Sequence, residues 1–585
     1  MGFGKTMLAS AVGFIIGSMV LSLVSFIIFA GILASSLSSG TEDHAPITAS
    51  SFAVELNIAG NISEASSNEW LSLFGDEVGV GLEDLLAAID HAAEDDRVQV
   101  LYLHFNASTL SWAQAEELSE AIKTFKRCGK PIIAYGESLS QPEYFLATSA
   151  DKIAVHPSGI IDFRGMGAET MFYKGLLDKL GVHMELIRPT SCAYKSAGEA
   201  YTRTDMSDAN REQVRSYINS IWQYALEVMA ANRKMTTEQL NAIADNLSGY
   251  LPEDALKAGL IDTLCFAQDI KDILGETYSA SRIYKAKRYA KDVVKDDLKD
   301  QIAVIYAEGD VIPGKGDGTH TAVYGDDIVK ALSKAAKDKK VKAIVLRVNS
   351  PGGAVTASES MTHAVIKAKE KKPVIISMSG MAASAGYEIS CFGTKIVAHP
   401  TTLTGSIGVF ATIPEIGTLL RQKLGITTDT VMTNKNASGL SAMRPLSPAA
   451  RDMLQKNVED FYITFTQRVA DGRGLKREYV DSIARGRVWS GLQAKELGLV
   501  DTLGGLPLAL HIAAEEADID FEQCTVKTYN ATKDLWDLLM NRMKADEEEA
   551  VRARLNAFIP FYSDMEAWAT MEPLQARLPF AIKIN

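Results

Sequence analysis

A chain of 585 residues is longer than one hydrophobic core ordinarily organises, so two or more domains are expected. Hydrophobic residues make up 47% and charged residues 23%, a globular balance. The excess of 73 acidic over 60 basic residues argues against a nucleic-acid binder, and the five scattered cysteines form neither a CxxC pair nor a disulfide framework.

The N-terminus carries no charged side chain between Lys5 and Glu42, and Ala9 to Leu33 is almost wholly apolar. A helix of about 20 residues crosses the hydrocarbon core, whereas a cleavable signal has a shorter apolar region. Residues 1–45 therefore read as an uncleaved signal anchor and short linker, with cleavage near Ala34 as the alternative. Lys5 precedes the span and Glu42 and Asp43 follow it, which predicts a cytoplasmic N-terminus and a body outside the cytoplasm. The opening MGFGKT also fits a myristoylation pattern, read as a chance match in front of a spanning helix.

The body then repeats itself. VQVLYLHFN (98–106) is matched by VKAIVLRVN (341–349), PIIA (131–134) by PVII (373–376), and DKIAVHP (151–157) by TKIVAHP (394–400). Asn106 and Asn349 stand 243 residues apart, as do His156 and His399. Such self-similarity implies two copies of one domain, 46–298 and 299–585, with a tail from about 528. The apolar runs Ala303–Tyr306, Ala343–Val348 and Val374–Ser377 alternate with helical patterns at Asp326–Lys337 and Ser358–Lys371. The fold class is α/β, built from βαβ units around buried sheets. Lys285–Asp300 is a charged joint, either a solvated helix or a linker. In the tail, an amphipathic stretch (Leu535–Met543) and an acidic run (Asp546–Glu549) suggest a helix docked on the body or on a neighbouring subunit.

Chemistry concentrates in three places. In the first copy, TSCAYKSAG (190–198) sets Lys195 among small and apolar residues, with no acid before Glu199. Taken alone, this lysine also fits a surface loop. In the second copy, Asn349-Ser350-Pro351-Gly352-Gly353 follows a strand. Adjacent glycines there permit an outward N–H or simply a tight turn. Farther on, PVIISMSGMAASAGYEISC (373–391) reads as a strand that ends in a Ser-Gly-rich turn and enters an Ala-rich helix. Ser384 falls near that helix start, where free N–H groups can stabilise an oxyanion, or where a serine can serve as a cap. There is no HExxH cluster and no GxxxxGK[ST] loop, so neither a metal nor a cofactor is expected. His156 and His399 occupy equivalent repeat positions and read as structural. By the 243 offset, Ser384 corresponds to Gln141 and Lys195 to Ser438, each within a residue or so.

NSPGG, SMSGMAASAGY and TLTGSIGVF (402–410), joined to AYKSAGEAYTRTDMS (193–207), resemble the SppA-type signal peptide peptidases, and the duplicated body and N-terminal anchor match the long form of that family. The resemblance runs from the anchor to about residue 527. It implies tandem crotonase/Clp-protease-like domains and a Ser–Lys dyad, with Ser384 as nucleophile and Lys195 as general base. It further implies backbone N–H groups of Gly353 and Ala385 as oxyanion donors and Ser406 as an accessory hydroxyl. Ala385 departs from the glycine of many relatives, tolerably, because only its N–H is needed. The implied substrates are remnant signal peptides or other apolar peptides. The implied assembly is a homo-tetramer on the inner (cytoplasmic) membrane with its body on the periplasmic side. Burial without a counter-charge would lower the lysine from its ordinary 10.4 towards neutrality, as a general base requires. Two other readings use the same fold: a crotonase-like acyl-CoA enzyme, which an external body fits badly, and a catalytically inactive membrane scaffold.

Overall fold

In the first copy, strands β1 (Phe52–Gly60), β2 (Val98–Ser108), β3 (Ile132–Gly136) and β4 (Lys152–Val155) alternate with helices. Short strands β5 (Ala168–Glu169), β6 (His183–Ile187), β7 (Thr263–Leu264) and β8 (Ile283–Lys285) follow. A parallel sheet of order β7-β4-β3-β2-β1-β8 results. The computed structural model describes residues 47–66, 80–292, 298–316, 321–530, 574–577 and 583–584. The expected anchor at 1–45 and the tail segments 535–543 and 546–549 lie outside them. Among the described residues no helix is long and apolar enough to cross a membrane.

The second copy contributes β9 (Asp300–Glu308), β10 (Val311–Ile312), β11 (Val323–Tyr324), β12 (Val341–Ser350), β13 (Gly352–Ala354) and β14 (Val374–Ala383). After them come β15 (Lys395–Ala398), β16 (Leu403–Gly405), β17 (Phe410–Glu415), β18 (Val488–Ser490), β19 (Thr502–Leu503) and β20 (Cys524–Thr528). Parallel pairing in the order β20-β9-β12-β14-β15-β19 reproduces the first sheet strand for strand. The near-continuous apolar run of β12 has the composition of a strand covered on both faces. Helix Gly325–Lys337 shows why one face docks. Ile328, Ala331, Leu332 and Ala335 point inward, while Asp326 and Asp327 begin the helix and Lys334 and Lys337 end it, as the helix dipole favours.

Three features depart from the sequence reading. First, β14 does not end at the Ser-Gly segment. It runs on to Ala383 because β16 pairs with its far half, Met381↔Leu403 through Ala383↔Gly405. The following helix is a single turn, Ala385–Glu388. In the first copy, β3 stops after five residues. Second, the described start of the joint expected at 285–300 is neither a plain linker nor a fully solvated helix. Helix Ala286–Asp292 buries Tyr289 against Phe52. Third, β6 leaves its own copy and pairs antiparallel with β17 of the other, Ile187↔Ala411 through His183↔Glu415. Two further strands, β21 (Leu574–Arg577) and β22 (Lys583–Ile584), come from the tail. β21 completes a sheet of order β11-β10-β13-β21-β17-β6, and β22 pairs with β5.

A buried ionic network ties the copies together. Arg347 of β12 is 1% exposed and donates to Glu64 and Glu117 of the first copy and, at 2.9 Å, to Ser377 of β14. His399 meets Glu117 at 3.2 Å from the other side. Although burial opposes it, these cations hold Glu117 down to about 2. Glu64 also accepts from Asn349 at 3.0 Å and from Ser379 at 2.5 Å. The ends of β12 and β14 are thereby fixed just before the chain reaches Gly352 and Ser384.

Candidate active site

Lys195 lies on the loop after β6, where the first copy is pressed against the second. Its carbonyl accepts from Arg188 at 2.8 Å, and the Tyr194 N–H donates to Arg485 O at 3.1 Å. Gly486 makes the approach possible. It adopts φ +79°, and a Cβ there would sit 2.6 Å from the Lys195 backbone nitrogen. The lysine stem then enters the second copy, and Nζ ends 2.7 Å from Ser384 Oγ, 189 residues away in sequence. Nζ also reaches the carbonyl and the hydroxyl of Ser406, both at 3.0 Å.

Ser384 occupies the junction between β14 and the one-turn helix, with φ 57° and ψ −116°. A non-glycine residue there stores of order 1–3 kcal/mol of strain. The conformation is held by its N–H donating to Gly405 O at 2.8 Å, and Ser406, also at positive φ, is held by a 2.7 Å bond to Arg487 O. The side chain of Ser384 makes no cap hydrogen bond to the helix. The cap reading therefore fails, because the hydroxyl is turned to the lysine. In the first copy the residue before the matching helix is Ser140, at φ −69°. Tyr144 and Tyr387 play the same part in the two copies, bonding Leu260 O and Leu499 O, so the 243 offset still sets Gln141 opposite Ser384 and the first copy's helix begins one residue earlier. Ser438, the counterpart expected for Lys195, lies in an irregular loop before helix Pro448–Arg473.

Lys195, Ser384 and Ser406 are all buried. Among the described residues no carboxylate lies within ion-pairing distance of Lys195. Glu199, the nearest acid in sequence, turns instead to Ser207 and Asn210. Burial pushes the Lys195 ammonium down to about 7, against a weaker opposing effect of Cys192. An amine at that value exchanges a proton with its neighbour at neutral pH.

Gly353 and Ala385 sit on the two segments that bracket the serine. Ala385 is the first residue of its helix, so no helical carbonyl takes its N–H. Gly353 has φ +156°, and a Cβ would come within 2.0 Å of Val311 O, so the position accepts only glycine. Ser350 O and Gly386 pack closely, since a Cβ at Gly386 would be 2.7 Å from that oxygen. The glycine pair and the serine turn thus form one wall. Of the two histidines, His399 is part of the ionic network, and His156 packs edge-on against Phe266. Among the described residues no cluster of His, Cys, Asp and Glu could hold a metal ion.

The model of peptidase family S49 matches residues 124–279 and again 366–520. This chain belongs to that family. A Clp protease model matches residues 299–403. "Protease 4" of Salmonella typhi is 37% identical over 82% of this chain and 78% of its own length. "Protease 4" of Haemophilus influenzae is 34% identical over 74% and 72%. The "Serine protease SPPA, chloroplastic" of Arabidopsis thaliana is 31% identical over 79% and 69%. The protein is accordingly a serine peptidase of the long, duplicated SppA type.

Sequence reasoning missed the parts of this peptidase that act at a distance. Gly486 lies in a segment without a recognised motif. The Arg347 network did leave a signal: one arginine inside the apolar run VKAIVLRVN, where the first copy has His104. A charge in the middle of a buried strand demands a partner.

Proposed function

We propose that this peptidase is a membrane-anchored endopeptidase that hydrolyses remnant signal peptides and other apolar peptides through an acyl-enzyme, using Ser384 and Lys195. One observation carries the reading: a buried lysine amine without a counter-charge lies 2.7 Å from a strained serine hydroxyl. Neutral Lys195 removes the proton from Ser384 Oγ, and the oxygen attacks the scissile carbonyl. The N–H groups of Gly353 and Ala385 stabilise the oxyanion. Protonated Lys195 then passes its proton to the leaving amine, and water hydrolyses the ester by the reverse route. Ser406, bonded to Nζ at 3.0 Å, keeps the amine aimed at the serine. The apolar segment at 9–33 supports a single-pass anchor in the inner membrane with a periplasmic body. The match to a Clp protease model supports a closed homo-oligomer, with a tetramer as the proposed form.

An acylating serine probe applied to the intact protein, with peptide mapping, tests the assignment. Label on Ser384, absent from Ser384→Ala together with all peptide cleavage, is the expected result. Cleavage that survives Ser384→Ala would overturn it.

A further inference from the structure

The turn that carries Ser384 leads into a buried polar cluster that plays no part in the chemistry above. Glu388, the last residue of the one-turn helix, is fully buried, and its N–H donates to Ser384 O at 2.9 Å. Its carboxylate is held from two sides. Ser358 donates to Oε2 at 2.7 Å, and Arg468 donates to Oε1 at 2.5 Å. Arg468 also pairs with Glu359 at 2.9 Å.

Each partner sits on an element tied to the site. Ser358 lies near the start of helix Val355–Lys369, which follows directly on the glycine strand β13. Arg468 lies on helix Pro448–Arg473. Nearer its start, the same helix holds the loop that carries Lys195. Gln455 donates to Arg188 O at 3.0 Å, and Glu459 accepts from the Thr190 N–H at 2.8 Å. Tyr462 OH accepts from the Arg485 N–H at 3.1 Å, next to the seat of the lysine at Gly486. The Glu388 carboxylate thus joins the serine turn both to the glycine side and to the helix that frames the lysine side.

The first copy is an internal control. Tyr144 corresponds to Tyr387, so Phe145 stands opposite Glu388, and the same 243 offset sets Ala115 opposite Ser358. Arg233 and Arg473 correspond because each bonds a glycine carbonyl and an aspartate, Gly259 and Asp262 in one copy, Gly498 and Asp501 in the other. Val228 and Arg468 stand five residues before them. Ala115 and Phe145 are buried in one core cluster, and Val228 packs against it. An apolar trio therefore fills in the first copy the place of a polar trio in the second. Replacing a buried ion pair by apolar side chains of similar volume is often neutral or stabilising, so fold stability alone does not account for the polar trio. Where the trio is apolar, an ordinary helix, Gln141–Ala147, begins opposite Ser384. Where it is polar, Ser384 is held at φ 57°. Such a conformation persists only when its surroundings over-determine it.

We propose that Ser358, Glu388 and Arg468 are positioning residues, which clamp the serine turn in its strained form and set the spacing of the two oxyanion donors, Gly353 and Ala385. The proposal rests on the dyad reading above. The trio acts through the backbone, so its loss is felt in transition-state binding rather than in peptide affinity.

Two variants test it. Glu388→Gln keeps the shape of the side chain and removes the charge that Arg468 holds. The triple variant Ser358→Ala, Glu388→Phe, Arg468→Val installs the trio of the first copy. A quenched fluorescent peptide supplies kcat and KM, a peptide boronate reports binding of a tetrahedral adduct on Ser384, and urea reports stability. Both variants are expected to lower kcat about 10- to 100-fold with KM held within about threefold, and to weaken the boronate by a similar factor. The rising limb of the pH profile should stay centred near pH 7, because the surroundings of Lys195 are untouched. The triple variant should keep the urea midpoint of the parent. Parent-like kcat in either variant, a loss of kcat matched in both by a fallen urea midpoint, or a displaced limb would refute the role of the trio. An intact protein that neither cleaves the peptide nor binds the boronate would instead refute the dyad reading.

Discussion

Titration of activity against pH probes the lysine directly, because burial is the main influence on its protonation state. With Lys195 at about 7, the neutral fraction is about 0.1 at pH 6, one half at pH 7 and about 0.9 at pH 8. kcat/KM should therefore rise about tenfold between pH 6 and pH 8 and level off above. At the ordinary 10.5 the neutral fraction at pH 7 would be of order 10⁻⁴, so burial raises the competent population by roughly 10³. The assay is cleavage of a fluorogenic peptide in constant-ionic-strength buffers, repeated with the acylation rate of Ser384 as an independent readout. Lys195→Arg should abolish both, since arginine stays protonated in proteins. A limb centred near pH 10, a fall above pH 7, or full activity in Lys195→Arg would refute the reasoning.

The same burial should show in stability. A folded-state value below the unfolded one means that the unfolded chain binds the extra proton between about pH 7 and 10.5, so stability rises with pH across that window. Lys195→Met should thus resist urea better than the parent at pH 6, by up to roughly 5 kcal/mol less the lost hydrogen bonds, and lose that advantage near pH 10. A difference independent of pH would contradict this. Gly353→Ala drives a methyl into Val311 O and should lower kcat/KM at least about 100-fold, as measured with the fluorogenic peptide. Arg347→Ala leaves Glu64 and Glu117 buried without their cation and should cost about 3–5 kcal/mol, read from the urea midpoint.

Much of the framework was legible because it is local. The apolar runs at 303–306, 343–348 and 374–377 each lie inside a strand, and the repeat offset predicted two matching sheets. The extension of β14 through Ser379 and Gly380 was not legible, since those residues carry a turn composition and the strand continues past them through long-range pairing of Met381–Ala383 with β16 and of Ala382 with β12. The proximity of Lys195 to Ser384 came from family resemblance, as no pattern in one sequence links positions 189 apart. For the same reason the exchange of β6 onto β17 and the insertion of β21 beside β13 went unread: both are long-range pairings of short strands with no distinctive period. Arg347 could have been flagged from its apolar neighbours, but its partners at Glu64 and Glu117 could not have been named.

The seating of Lys195 against Gly486, with Arg487 O holding Ser406, also sets a clock. During synthesis the segment that carries Lys195 emerges first, yet its strand partner β17 and the turn that receives the lysine are complete only when residue 487 has left the ribosome. Until then the nascent chain carries a base without its nucleophile, and then a nucleophile without its support. A peptidase assembled this way is made unarmed, and can cut unfolded neighbours only after most of its own body has been made.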